Sequence, residues 1–134
     1  MSNLIHKATQ RQQEIFNIVI QGFKKQDWMP SYADGRCFYR EPSGLQCAAG
    51  MLIPDEIYDA KMEQNCITGL ATKLRERNWK YLPEMSFIQD LQSIHDYAAI
   101  DSMNQRDSAK KDILKKSFKD FAAKRQLTFT EDPL

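Results

Sequence analysis

Glycine and histidine are scarce in this chain, and neither sign of charge dominates. It has five glycines and two histidines, and no apolar run reaches the ~18–20 residues that span a bilayer. With so little glycine there is no phosphate-cradling loop and no dinucleotide fingerprint, and little material for a flexible lid. The histidines form no helical pair for a metal. Nineteen basic residues stand against eighteen acidic ones, for a net charge of +1. That balance opposes whole-surface attraction to nucleic acid or anionic lipid. The three cysteines form no closely spaced pair of the kind that presents two thiolates to one zinc ion. The stretch from Met1 to Arg11 is polar and lacks an apolar h-region, so no secretory leader is expected. Reduced thiols and a cytoplasmic location follow as expectations.

What is present suits one ordinary domain. The 134 residues are 42% hydrophobic and 28% charged, with aromatic side chains along the whole length. The expected fold is α+β, a single compact domain that is mainly helical. About four helices, a β-hairpin and an ordered core over about 9–129 are anticipated.

The first helix is the plainest element. Thr9 and Gln12 have capping-box spacing. Behind them Ile15, Phe16, Val19, Ile20 and Phe23 form one apolar stripe that ends near Pro30. A hairpin is expected next. Residues 36–40 answer residues 45–52 across a turn at Glu41-Pro42-Ser43-Gly44. Pro54 with Asp55 and Glu56 suits the start of a helical turn. Later helices are expected over about residues 67–77, from Pro83 with Phe87, Ile88, Leu91, Ile94, Tyr97 and Ala98 buried, and up to about Arg125. That last helix should bury Ile113, Leu114, Phe118, Phe121 and Ala122, and Ser102 with Gln105 offers a second capping box. Residues 127–130 alternate like a short strand that could add to the hairpin.

Several groups could carry chemistry. Arg36, Tyr39, Arg40, Asp55, Glu56 and Tyr58 gather about the hairpin, and His95 joins them as a ligand-binding candidate. Arginine can pair with a phosphate and tyrosine can stack on a base, so a small nucleotide-like ligand suits this set. The plainer reading pairs Arg40 with Glu56 and packs Tyr39 in the core. Cys47 or Cys66 with His95 would be a nucleophile and its base, but the neighbours that face His95 on a helix include only Gln92 as a hydrogen-bonding group. His95 itself is expected at the margin of the apolar stripe, with one hydrogen bond. Lys73, Arg75, Arg77 and Lys80 surround Trp79 and Tyr81, and Lys111, Lys115 and Lys119 recur along the last helix. Such clusters can hold single-stranded nucleic acid, but Glu76, Asp112 and Asp120 dilute both. No complete catalytic constellation emerges, and no cofactor or metal is expected.

One long pattern remains: Cys37, Tyr39-Arg40, Gly44, Cys47-Ala48, Gly50, Ile53-Pro54-Asp55-Glu56 and Tyr58, followed by Leu91-Gln92 and His95-Asp96. It resembles small proteins of unknown function encoded in bacteriophage and prophage genomes, with similarity from about Gln12 to Leu127. The resemblance assigns no catalytic or binding residue. It implies a phage-related accessory protein inside a bacterial cell, acting by binding and in some cases by inhibiting a host defence component. A host protein or a nucleotide-like ligand is the expected partner, nucleic acid stands behind these, and homo-oligomer formation stays open.

Overall fold

A computed structural model of the chain describes residues 8–130. Most of the polar stretch from Met1 to Arg11 lies outside them. The fold is α+β: the described residues form five helices, three 3-10 turns and one two-stranded antiparallel hairpin.

Helix α1 spans Gln10–Lys25. Both halves of its capping box form, with the Gln12 N–H donating to Thr9 Oγ1 at 3.1 Å and the Thr9 N–H to Gln12 Oε1 at 3.0 Å. The buried face is Ile15, Phe16, Val19, Ile20 and Phe23, the stripe that the spacing predicts. After α1 the backbone turns sharply, with φ of 54° at Asp27 and 61° at Trp28. The Trp28 N–H then bonds Phe23 O at 2.8 Å, and its ring stacks on Phe23 with centroids 5.6 Å apart. Phe118 joins this pair, 5.1 Å from Phe23, at the centre of the core. Each fully buried phenylalanine contributes about 1.5–3 kcal/mol relative to an exposed one.

The hairpin lies earlier than the sequence suggests. Strands β1 (Tyr32–Ala33) and β2 (Arg36–Cys37) pair across Asp34-Gly35, whose φ values of 52° and 78° are those of a two-residue turn matched to strand twist. The turn at Glu41–Gly44 does form, closed by Glu41 N–H to Leu45 O at 2.8 Å, but it supports only the bridge between Arg40 and Gln46. The expected second strand is instead helix α2, Ala48–Leu52. There the Ala49 N–H finds the Gln92 side chain at 2.8 Å rather than a strand partner. Gly50 lies so close to the Tyr39 carbonyl that only a residue without a side chain fits.

Three further expectations change. The helix expected over about residues 67–77 begins as a 3-10 turn at Thr68–Leu70 and becomes α3 only over Ala71–Glu76, in keeping with the weak helix preference of Gly69. Ser102 caps nothing forward; it closes α4 (Met85–Asp101), bonding back to Ala98 O at 2.7 Å, and Arg106 precedes α5 (Asp107–Arg125). Residues 127–130 form no strand, because the Gln13 amide takes both backbone polar groups of Thr128, its N–H at 2.8 Å and its carbonyl at 3.0 Å.

Helix α4 packs against α2 and α5, and α1 packs against α2. Its buried face holds Gln92, His95 and Ala99 beside the apolar residues, while Tyr97 is 71% exposed. On α5 the buried line is Leu114, Phe118 and Ala122, with Ile113 and Phe121 only partly covered. No helix among the described residues is long and apolar enough to cross a membrane.

Candidate functional site

The polar residues of the hairpin region converge on one acid that sequence reasoning missed. Glu63 sits on the 3-10 turn Ala60–Gln64. Its carboxylate accepts the Tyr39 N–H at 2.9 Å, the Arg40 N–H at 3.0 Å and the Tyr58 hydroxyl. Little in the sequence around Glu63 marks it, since two of its three contacts reach back more than twenty residues. Arg40 is held in turn. Its guanidinium donates to Ile53 O at 2.9 Å, pairs with Asp55 at 2.7 Å and lies 4.2 Å over the Tyr58 ring. Its Nε is buried without a hydrogen-bond partner. The acid it pairs with is therefore Asp55, while Glu56 stays exposed. Tyr39 is buried, as the plainer reading expects, and its hydroxyl bonds Asn65 O. Arg36 stands apart, exposed, with its guanidinium 4.7 Å over Phe38. The structure thus brings Tyr39, Arg40, Asp55 and Tyr58 together, mostly satisfying one another.

His95 belongs to a separate, deeper cluster. It is fully buried rather than marginal, stacked on Phe23 with centroids 5.8 Å apart. The Ser31 N–H donates to Nε2 at 2.9 Å. That donation needs a lone pair on Nε2, so the proton of the neutral ring lies on Nδ1 and points to Asp96 Oδ1 at 3.0 Å. Adjacent helix residues diverge, yet these two side chains meet at their tips. Gln92 does not bond the ring; it donates to the same Asp96 oxygen at 2.8 Å. Cys37 Sγ completes the group, with ligand atoms of Cys37, His95 and Asp96 within 4.8 Å of one another.

This trio has the residue types of a metal site or a nucleophile with its base, but its bonding closes both routes. A metal on Nδ1 would move the proton to Nε2, against the Ser31 N–H, placing donor against donor. As a base, His95 has no free lone pair. Burial, with Asp96 beside it, pushes the Cys37 thiol far above its ordinary value, and burial pushes Cys47 up to about 12. Neither is a ready thiolate. All three cysteines do line one cavity of about 100 Å³ with Asp96. Cys66 is the exposed member, and hydrogen bonds from Thr68 and the Gly69 N–H hold its thiol below the usual range.

The aromatic–basic cluster is also committed. Trp79 is buried and donates its indole N–H to Leu52 O at 2.8 Å, so it offers no face to a base. Arg77 and Lys73 pair with Asp59 at 3.0 and 3.5 Å. Lys111 pairs with Asp27 at 2.7 Å.

What stays open is a surface groove. Two adjoining clefts, of about 700 and 330 Å³, share Ile18 and Met51 as their floor. Ile18 is 39% exposed, although it sits on the helix whose other apolar residues are buried. Glu14, Lys25 and Lys80 stand among the lining residues, mixing both signs of charge. Comparison with protein-family models, curated proteins and solved structures gave no match.

Proposed function

We propose that this protein acts by binding a partner protein, without catalysis, through the groove floored by Ile18 and Met51. The observation that carries the reading is the groove itself: two clefts joined by the exposed Ile18 and the half-buried Met51 and edged by charges of both signs. An apolar floor with a polar rim is the anatomy of protein interfaces, and methionine adapts readily to a partner's shape. Nucleic acid would favour a uniformly basic lining, which Glu14 interrupts. The internal bonding of Arg40, Tyr58, His95 and Asp96 supports the absence of catalysis, because each would have to surrender native partners to act. The resemblance to phage-encoded accessory proteins supports a bacterial host protein as the target, a defence component among the candidates, and a cytoplasmic setting.

The test compares co-purification from bacterial lysate by the wild type, Ile18→Asp and Tyr97→Asp. Ile18 and Tyr97 are both exposed, so a charge at either leaves the core intact. A protein retained by the wild type and Tyr97→Asp but lost with Ile18→Asp supports the reading. A bound species removed by nuclease, a nucleotide released on denaturation, or a second copy of the chain as the sole companion overturns it.

A further inference from the structure

The smaller of the two clefts, of about 330 Å³, continues from the Ile18–Met51 floor to Trp79 and Tyr81. Its lining is apolar apart from Asn78 and Lys80. The two rings are fixed. Trp79 spends its indole N–H on Leu52 O at 2.8 Å and meets Tyr81 edge to face, with centroids 6.0 Å apart. Trp79 is buried, but Ile18, Met51 and Tyr81 all keep surface that a visiting group can touch. The Met51 thioether lies over Gly22, where no Cβ crowds it, so it has room to adjust.

Two features narrow what fits. The volume stands at the small end of ligand pockets, which run to ~300–1,000 Å³, and suits one large side chain. A thioether beside an aromatic ring favours another ring, because sulfur–aromatic and ring–ring contacts add to the burial of area. The second feature is charge. Among the described residues the Lys80 ammonium has no anionic partner, and it stands 5.0 Å from the centre of the Tyr81 ring. Arg11 lies over the same ring at 5.7 Å but is paired with Glu84 at 3.8 Å. An open cation beside an apolar cleft favours an acid next to the group that fills it. Protein interfaces concentrate their energy in aromatic anchors of this kind, set in a pocket with a polar rim.

On the reading that the groove holds a partner protein, we propose that this cleft is the anchor pocket. It takes one aromatic side chain of the partner, from a segment with an acidic residue beside it whose carboxylate accepts from Lys80 Nζ.

The probes are blocked dipeptides, titrated into the full chain carrying methyl-labelled methionine and followed by NMR. N-acetyl-Phe-Glu-amide should shift the Met51 methyl saturably while Met29, Met62 and Met103 hold their positions. N-acetyl-Ala-Glu-amide, which lacks the ring, should bind about tenfold or more weakly. N-acetyl-Phe-Lys-amide, with the charge reversed, should bind about two- to fivefold more weakly. Lys80→Glu should invert that second preference, and Tyr97→Asp should leave both intact. No Met51 shift at tens of millimolar, equal binding of the alanine dipeptide, or a glutamate preference that survives Lys80→Glu would overturn the assignment. The two readings fail separately. Inert dipeptides on a chain that still retains a protein through Ile18 would overturn the anchor pocket alone. The expected dipeptide order with no Ile18-dependent protein captured would overturn the protein partner instead.

Discussion

Replacing Gly50 with alanine separates two opposing effects by sign. Gly50 lies inside helix α2, where alanine is ordinarily favoured over glycine by about 1 kcal/mol. If the surroundings were indifferent, the variant would be more stable. The structure places a Cβ at that position 2.1 Å from the Tyr39 carbonyl oxygen and 2.8 Å from its carbonyl carbon. These are backbone atoms, held because the neighbouring Tyr39 and Arg40 N–H groups are anchored on Glu63. Relief requires moving α2 away from that segment, disturbing the Ala49–Gln92 bond and the Trp79–Leu52 bond. Overpacking of this kind costs about 1–3 kcal/mol, and more when backbone must shift. With the cost at the upper end of that range because the clash is with backbone, a net loss of about 2 kcal/mol or more remains after the helix preference is offset. Gly22→Ala is the internal control. Its Cβ would meet Met51 Sδ at 2.4 Å, the end of a flexible and partly exposed side chain that can rotate away. Gly22 is also within a helix, so this variant should stay within about 1 kcal/mol of the wild type. Urea unfolding followed by tryptophan fluorescence measures both, because Trp28 and Trp79 are buried. A Gly50→Ala protein as stable as the wild type, or a Gly22→Ala protein equally damaged, would refute the reasoning.

Other outcomes follow from the same contacts. His95→Leu removes the acceptor of the Ser31 N–H and the donor to Asp96, and should cost about 2–4 kcal/mol in urea unfolding. Trp79→Phe keeps most of the ring but leaves Leu52 O without its donor; a loss of about 1–3 kcal/mol is expected from thermal melts. Alkylation by iodoacetamide, mapped by mass spectrometry, should modify Cys66 first, with its rate rising at a pH below that of a free thiol. Stability should also fall at alkaline pH. Cys47 ionises near its ordinary value when unfolded but only at about 12 when folded, so the unfolded state releases its proton first. Its stabilising contribution is full below about pH 8.5 and is lost as pH rises toward 12, with a slope of up to about 1.4 kcal/mol per pH unit. Cys47→Ala should flatten that slope in urea melts taken at successive pH values.

The parts of the fold legible in the sequence are those governed by local rules. Helix α1 shows its cap and its buried stripe within one short window. The hairpin was legible too, but at the Asp34-Gly35 pair, which suits a two-residue turn better than the proline-containing turn that follows. Residues 47–52 form a short apolar run, and such runs do not distinguish a buried strand from a buried helix. What decides is Gln92, far along the chain, which takes the Ala49 N–H. The same distance hid the site chemistry. Glu63 reaches back to the backbone of residues 39 and 40, and Ser31 fixes the tautomer of His95; none of these contacts has a spacing that a linear reading can find. The groove was invisible for a related reason. Ile18 falls off the apolar stripe of its helix and meets Met51 only once α1 and α2 are packed.

A photo-crosslinker placed in the groove gives the most direct test of the proposed binding of a partner protein there. Benzoylphenylalanine at position 18 reports from the groove floor, and the same group at the exposed Tyr97 position, which lines neither cleft, reports from outside it. One protein adduct of defined mass is expected from position 18, absent from position 97, and competed away by unlabelled wild-type chain. Adducts that are the same from both positions, or none from position 18, would contradict it.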